Sequence, residues 1–276
     1  MAEITAAAVM ALRKKTGLPM MDCKSALAEA GGDEDKAVEL LRKRGAQVLA
    51  KRSDRETSFG RFGLYCGSDK PKGAMVELMC ESAPVTSNEE FVQLANDLAE
   101  QLATGPGAAT AEELLDQQSP SKDGITLRQQ KDDLFNRIRE VFNVGRMVSI
   151  EGTTGGYSHN SGTVSGVIVG VEGGSDELAR DVSMHVAAMR PAVLNVSDLP
   201  ADEVAKEREI LKAAALEEGK PENIVEKMVD GRMRNYYAER VLLEQPFVKD
   251  DKNSVGKFAE SNGMKVTQFV HWELGE

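Results

Sequence analysis

The 276-residue sequence is short of the residues that build most catalytic and metal centres. It has three Cys, three His and one Trp. Cys23, Cys66 and Cys80 are odd in number and widely spaced, which argues against a disulfide framework and for a reducing compartment. His159, His185 and His271 are isolated, so no metal-ligand spacing occurs and each reads as a structural or surface histidine. No run approaches the ~18 apolar residues of a membrane helix. The N-terminal MAEITAAAVMALRKK has no long apolar stretch behind a charged segment, so no signal peptide is read there. The expected location is the cytoplasm, with no membrane partner. Phosphate-cradling loops, dinucleotide fingerprints and nucleophile elbows are also missing; Gly155-Gly156 and Gly173-Gly174 read as turns. Asp132-Asp133 and Asp250-Asp251 read as solvated charge runs. The expectation is a protein with no cofactor, metal or catalytic residue, a binding factor rather than an enzyme.

What remains is the composition of a globular protein, 41% apolar and 29% charged. The net charge of −11 disfavours direct contact with nucleic acid, whose phosphates call for Lys and Arg. The charge is uneven. Residues 1–54 hold ten Lys and Arg against eight Asp and Glu, so the acidic excess lies in the rest of the chain. A slightly basic head on an acidic body implies two parts with different partners.

The pattern of breakers and apolar spacing gives an α+β organisation. Residues 1–54 read as three short helices: Thr5 to Lys15 stopped by Gly17, Met21 to Ala30 behind Pro19, and a third capped by Asp33 and ended by Gly45. AKRSDRETS (50–58) reads as a linker. Two strands, FGRFGLYCG and GAMVELMCES, follow. Helices are expected over 88–104, in EELLDQQ and over 126–142, then a strand over 144–151. From Gly152 the pattern restarts, with glycine-punctuated strands over 157–172 and a helix over 176–189. MVELMCES…FVQLANDLAEQLA and GVIVGVEG…LARDVSMHVAAM share a strand–loop–helix order, a weak internal duplication. Residues 201–243 read as an antiparallel helical hairpin broken at Gly219-Lys220-Pro221. The tail adds a helix and a strand, in which Val266, Phe269 and Trp272 alternate only in part. The expected divisions are a head (1–54), a first core subdomain (55–152) and a second (153–276) that carries the hairpin.

One stretch is highly specific. Leu12-Arg13 followed by Thr16-Gly17-Leu18-Pro19-Met20-Met21-Asp22-Cys23-Lys24-Ser25-Ala26-Leu27 resembles the signature of the elongation factor Ts family. Met184-His185-Val186-Ala187-Ala188, Glu226-Lys227-Met228-Val229 with Gly231-Arg232-Met233, and Gln245-Pro246-Phe247-Val248 extend the resemblance along the chain. It implies a ubiquitin-associated-like three-helix domain, a two-subdomain α+β core with antiparallel sheets and a projecting helical hairpin. It also implies a function: guanine-nucleotide exchange on elongation factor Tu (EF-Tu), bound in its GDP and nucleotide-free forms, with a homodimer as one form of the assembly. The rival reading is a ubiquitin-associated-like adaptor or chaperone without exchange activity, which residues 1–54 alone would support.

The resemblance also implies contact residues. Arg13, Met20, Met21 and Lys24 of the head are expected to meet a helix of the EF-Tu G domain. The family's core presents a Thr-Asp-Phe-Val segment whose Phe wedges between two helices near the nucleotide. Glu90, Phe91 and Val92 are assigned to it, within Asn88-Glu89-Glu90-Phe91-Val92. Spacing alone gives Phe91 a different role, since Phe91, Leu94, Ala95 and Leu98 form the core face of a helix. Ile138, His159 and Val248 match further family contacts. Longer family members continue into a C-terminal helix, and the contact it makes is expected to be missing here.

Overall fold

The computed structural model describes residues 4–52, 54–218 and 221–275. The chain forms two compact units. The first comprises the chain up to Tyr65, Ala74–Val148 and the end from Leu274; the second comprises Cys66–Gly73 and Ser149–Glu273.

The first unit opens with α1 (Ala6–Thr16), α2 (Met20–Glu29) and α3 (Glu34–Ala50). Thr5 caps α1 by accepting from the Ala8 N–H at 3.2 Å, and Gly17 closes it at φ 70°, a left-handed backbone that glycine adopts without strain. Asp33 caps α3, accepting from the Lys36 N–H at 3.0 Å. Val9, Leu12, Leu18, Cys23, Leu27 and Leu41 share a small core. Gly45 does not end α3, which continues to Ala50. Its role is close approach: a Cβ there would lie 1.8 Å from the Asn136 Oδ1. Without one, α3 lies against α6, and Val48 and Leu49 pack on the larger core beyond.

That core is built on β1 (Phe59–Tyr65), β2 (Lys72–Cys80), α4 (Glu89–Thr104), α5 (Ala111–Leu115), α6 (Leu127–Ile138) and β3 (Phe142–Glu151), with the sheet in the order β1-β2-β3. A 3-10 turn over Ala83–Ser87 joins β2 to α4. Helix α6 is shorter than the apolar spacing predicts. It ends where Arg139 turns left-handed at φ 67°, and Val141 and Phe142 are buried at the start of β3 instead. Helix end and strand face one core, so their apolar residues run on as though one helix continued. Inside it, the Asp97 carboxylate is fully buried and accepts from Gln93, Ser121 and Gln130 at 2.8, 2.5 and 2.7 Å, which meets the requirement that a buried charge be hydrogen-bonded.

The second unit repeats the plan. β4 (Thr154–His159), β5 (Ser165–Gly173) and α7 (Asp176–Met189) follow in order, and β8 (Met264–Glu273) completes an antiparallel sheet, β4-β5-β8. The glycines make the repeat concrete. A Cβ on Gly63 of β1 would lie 1.9 Å from the Ala95 carbonyl of α4, and one on Gly155 of β4 would lie 2.8 Å from the Ala179 carbonyl of α7. In each unit a strand glycine lets a helix approach the sheet. Between β5 and β8 the register shifts at Gly170/Val171, leaving Thr267 as an extra residue. Val266 and Phe269 therefore reach one core although three positions apart, which explains the broken alternation.

The hairpin pairs α8 (Ala201–Glu217) with α9 (Glu222–Arg240). Ala215, Val225, Val229 and Met233 form its seam. Arg208–Asp230 at 2.8 Å and Arg232–Glu218 at 2.7 Å lie along it. At the expected break, Gly219 and Lys220 lie outside the described residues. A two-stranded ribbon, β6 (Pro246–Phe247) with β7 (Asp250–Ser254), and α10 (Val255–Ser261) complete the fold.

Candidate binding surfaces

In the head, the positions named from the sequence lie at the surface. Pro19 starts α2, so Met20 and Met21 occupy its first turn, where adjacent side chains cannot both turn inward. Met20 is 45% and Met21 70% exposed. Lys24 follows one turn on and is exposed, as is Arg13 on α1. Met10 is 62% exposed and lines a shallow depression of about 260 Å³ with Arg13 and Lys14. Met10 and Lys14 are not singled out by the sequence, although Met10 stands three before Arg13 and four before Lys14, spacings that make it a surface neighbour of both on α1. The result is an apolar and basic surface of flexible methionines, suited to an adaptable protein contact.

The core positions depart from the sequence expectation. Phe91 is fully buried, its ring 5.4 Å from that of Phe142 at 56°. It belongs to the core face of α4 with Leu94, Ala95 and Leu98, and it is not an exposed wedge. Glu90 is exposed but held: Arg137 of α6 donates to both its oxygens. Val92 is half-buried, and Ile138 packs partly on the core. None of these presents a free side chain to a partner in the way the resemblance implies. The turn before α4 also exposes Ala83 and Pro84. Glu140 fixes that turn by accepting from the Ser82 N–H at 3.0 Å and the Ser82 hydroxyl at 2.6 Å. Asn88 caps α4 behind it, accepting from the Glu90 and Phe91 N–H groups.

In the second unit, His159 and Val248 come together. They line a groove of about 380 Å³ with Tyr157, Met184, Ala187 and Lys249. The Tyr157 hydroxyl lies 3.0 Å from His159 Nδ1. Lys249 pairs with Asp181 at 2.5 Å. Val248 is 48% exposed, and a buried histidine sets its position. His185 is fully buried on α7; its Nε2 lies 2.9 Å from Gln245 Oε1, and its Nδ1 accepts from the Val248 N–H at 3.3 Å. Both contacts are satisfied by one neutral tautomer, with the proton on Nε2. Gln245 in turn donates to the Glu239 carbonyl at 3.2 Å, at the end of α9. Two stretches of the family resemblance, Met184–Ala188 and Gln245–Val248, thus meet through the two hydrogen bonds of His185.

Burial pushes the His185 imidazole below its ordinary pKa, the hydrogen bond it donates to Gln245 opposing in part. A depressed histidine stays neutral in the fold while the unfolded chain takes up a proton below about pH 6.5, so stability falls as pH drops through that value. The slope from one proton is about 1.4 kcal/mol per pH unit at most. Unfolding curves of the protein and of His185→Gln between pH 7.5 and 5 should show a steeper decline for the unaltered chain. Parallel declines would refute the assignment.

Among the described residues there is no group of three or more His, Cys, Asp or Glu able to hold a metal, and no helix long and apolar enough to cross a membrane. The family model described as Elongation factor TS matches residues 84–276. The chain is 42% identical to Elongation factor Ts of Thioalkalivibrio sulfidiphilus across 99% of its own length and 92% of the relative's. It is 42% identical to that of Methylococcus capsulatus over the same shares, and 41% identical to that of Kineococcus radiotolerans over the whole of both chains. The protein is thus a translation elongation factor of α+β fold. Within that class, the chain belongs to the elongation factor Ts family.

Proposed function

We propose that the chain is the nucleotide-exchange partner of EF-Tu: it binds EF-Tu·GDP, loosens the Mg²⁺ and phosphate site and so promotes GDP release, without itself cleaving nucleotide. The observation that carries this reading is the similarity to Elongation factor Ts along the whole chain. The exposed Met20-Met21 surface and the Val248 groove support it, as apolar surfaces set in polar surroundings. Exchange follows from coupling. A factor that binds the nucleotide-free GTPase better than its GDP form weakens GDP by the same ratio, about 1.4 kcal/mol for each tenfold.

With Phe91 in the core, we read the family's Thr-Asp-Phe-Val segment onto Ser82-Ala83-Pro84-Val85. This stretch follows β2, keeps a hydroxyl first and a valine last, and exposes its two middle residues. Acid and aromatic are replaced by Ala83 and Pro84, so the push on EF-Tu is made by a compact proline turn and by the other two surfaces.

The test is release of labelled GDP from EF-Tu. Acceleration at micromolar factor is expected, with no hydrolysis by the factor alone. No acceleration, or intrinsic GTPase activity, would sink the reading. The double variant Met20→Ala, Met21→Ala should keep its melting temperature and lose roughly tenfold or more in EF-Tu affinity, since truncating interface anchors costs ~2 kcal/mol. Unchanged affinity by calorimetry would remove the head from the interface.

A further inference from the structure

Arg61 differs from three other partly buried arginines of the first unit. Arg137, Arg139 and Arg146 each meet a carboxylate, of Glu90, Asp22 and Glu77. Arg61, on edge strand β1, has no carboxylate of the described residues within ion-pair distance. Its Nη1 donates to the Thr86 carbonyl at 3.0 Å, and its Nε is buried without a partner. Burial pushes its pKa down, and no acidic neighbour among the described residues opposes this. A guanidinium stays protonated under such pressure. A positive charge is therefore drawn partly out of water without a counter-ion, an arrangement that costs stability unless something else completes it.

Two acids that hold this region together are engaged elsewhere. Glu81 accepts from Arg55 and from the Val141 N–H, and Glu140 accepts from Ser82. Arg61 props the Ala83–Ser87 turn from below, through the Thr86 carbonyl. The turn's exposed residues, Ala83, Pro84 and Ser87, carry no charge. Two positions before Arg61, on the same side of the strand, Phe59 is 43% exposed.

We propose that Arg61 is the electrostatic anchor of the surface around this turn, and that it receives an acidic side chain of the docking GTPase. The inference rests on the exchange function proposed above and names a residue that sets partner choice. A carboxylate fits the planar fork of arginine with two parallel hydrogen bonds. Phe59 and Pro84 would shield the pair from water, which strengthens it. A partner with a lysine at the facing position would be rejected, because like charges brought together in a desolvated contact are costly.

Arg61→Gln separates this role from simple support of the turn, because the glutamine amide still offers a donor to the Thr86 carbonyl. Binding to EF-Tu and melting temperature are measured for the protein, Arg61→Gln and Arg61→Lys, at 50 and 300 mM salt, between which the Debye length falls from about 14 to about 6 Å. We expect the glutamine variant to melt as the unaltered protein does. Its affinity should fall about tenfold at low salt, with a shallower salt dependence, and the lysine variant should recover part of the loss. Equal affinity and equal salt dependence for the glutamine variant, or a loss the lysine variant shares in full, would overturn the proposal while leaving the exchange function standing. Failure of the unaltered protein to bind EF-Tu would overturn both.

Discussion

Phe91→Ala is expected to lower the unfolding free energy by about 3–5 kcal/mol, the cost of deleting a fully buried aromatic ring that its surroundings cannot collapse to fill. The ring lies against Phe142 and shares a core with Leu94, Ala95 and Leu98, so truncation leaves a void between α4 and the first strand residue of β3. Exchange activity per folded molecule should stay close to that of the unaltered protein. Denaturant melts and GDP release from one preparation decide the matter. A near-normal melt with exchange abolished would return Phe91 to the role of an exposed wedge.

Gly63→Ala should be nearly as damaging for the opposite reason. Here one methyl group is added where there is no room, 1.9 Å from the Ala95 carbonyl oxygen. The obstacle is backbone of a helix rather than the end of a flexible side chain, so relief requires α4 to move off the sheet. Overpacking of this kind costs typically 1–3 kcal/mol, and this position belongs at the upper end. Gly155→Ala, at the equivalent place in the second unit, meets the Ala179 Cβ at 2.5 Å and its carbonyl oxygen at 2.8 Å, both longer than 1.9 Å, and should cost less. Equal melting temperatures for Gly63→Ala and the unaltered protein would show that α4 yields freely.

The elements legible in the sequence are those whose signals are local. Thr5, Gly17 and Asp33 cap or stop the helices they were expected to, because capping is decided within four residues. Helix α7 was readable at both ends, and the duplication showed in its strand–loop–helix order. What was not legible depends on contacts far apart in sequence. Gly45 reads as a stop, yet its purpose is Asn136, on another helix. The bulge that carries both Val266 and Phe269 inward exists only in the pairing with β5. Phe91 shows the hazard at the site. A short aromatic motif finds its nearest Phe there, although the spacing of Leu94, Ala95 and Leu98 describes a core face. Nothing local marks Arg61, since an arginine without a counter-ion among the described residues is defined by what does not surround it.

The close approach at Gly45 has a consequence for how the chain loosens. The last turns of α3 lie on α6, where Asn136 fills the space a side chain would take and Arg42 reaches Asp133 at 3.6 Å. Arg139, just past the end of α6, holds Asp22 at 2.9 Å, next to the methionines that open α2. In hydrogen-exchange terms, the amides of α3 should not follow the small three-helix core, which is too slight to protect them alone. They should exchange with α6, as one cooperative block, and the methionine surface keeps its orientation for as long as that block stays closed.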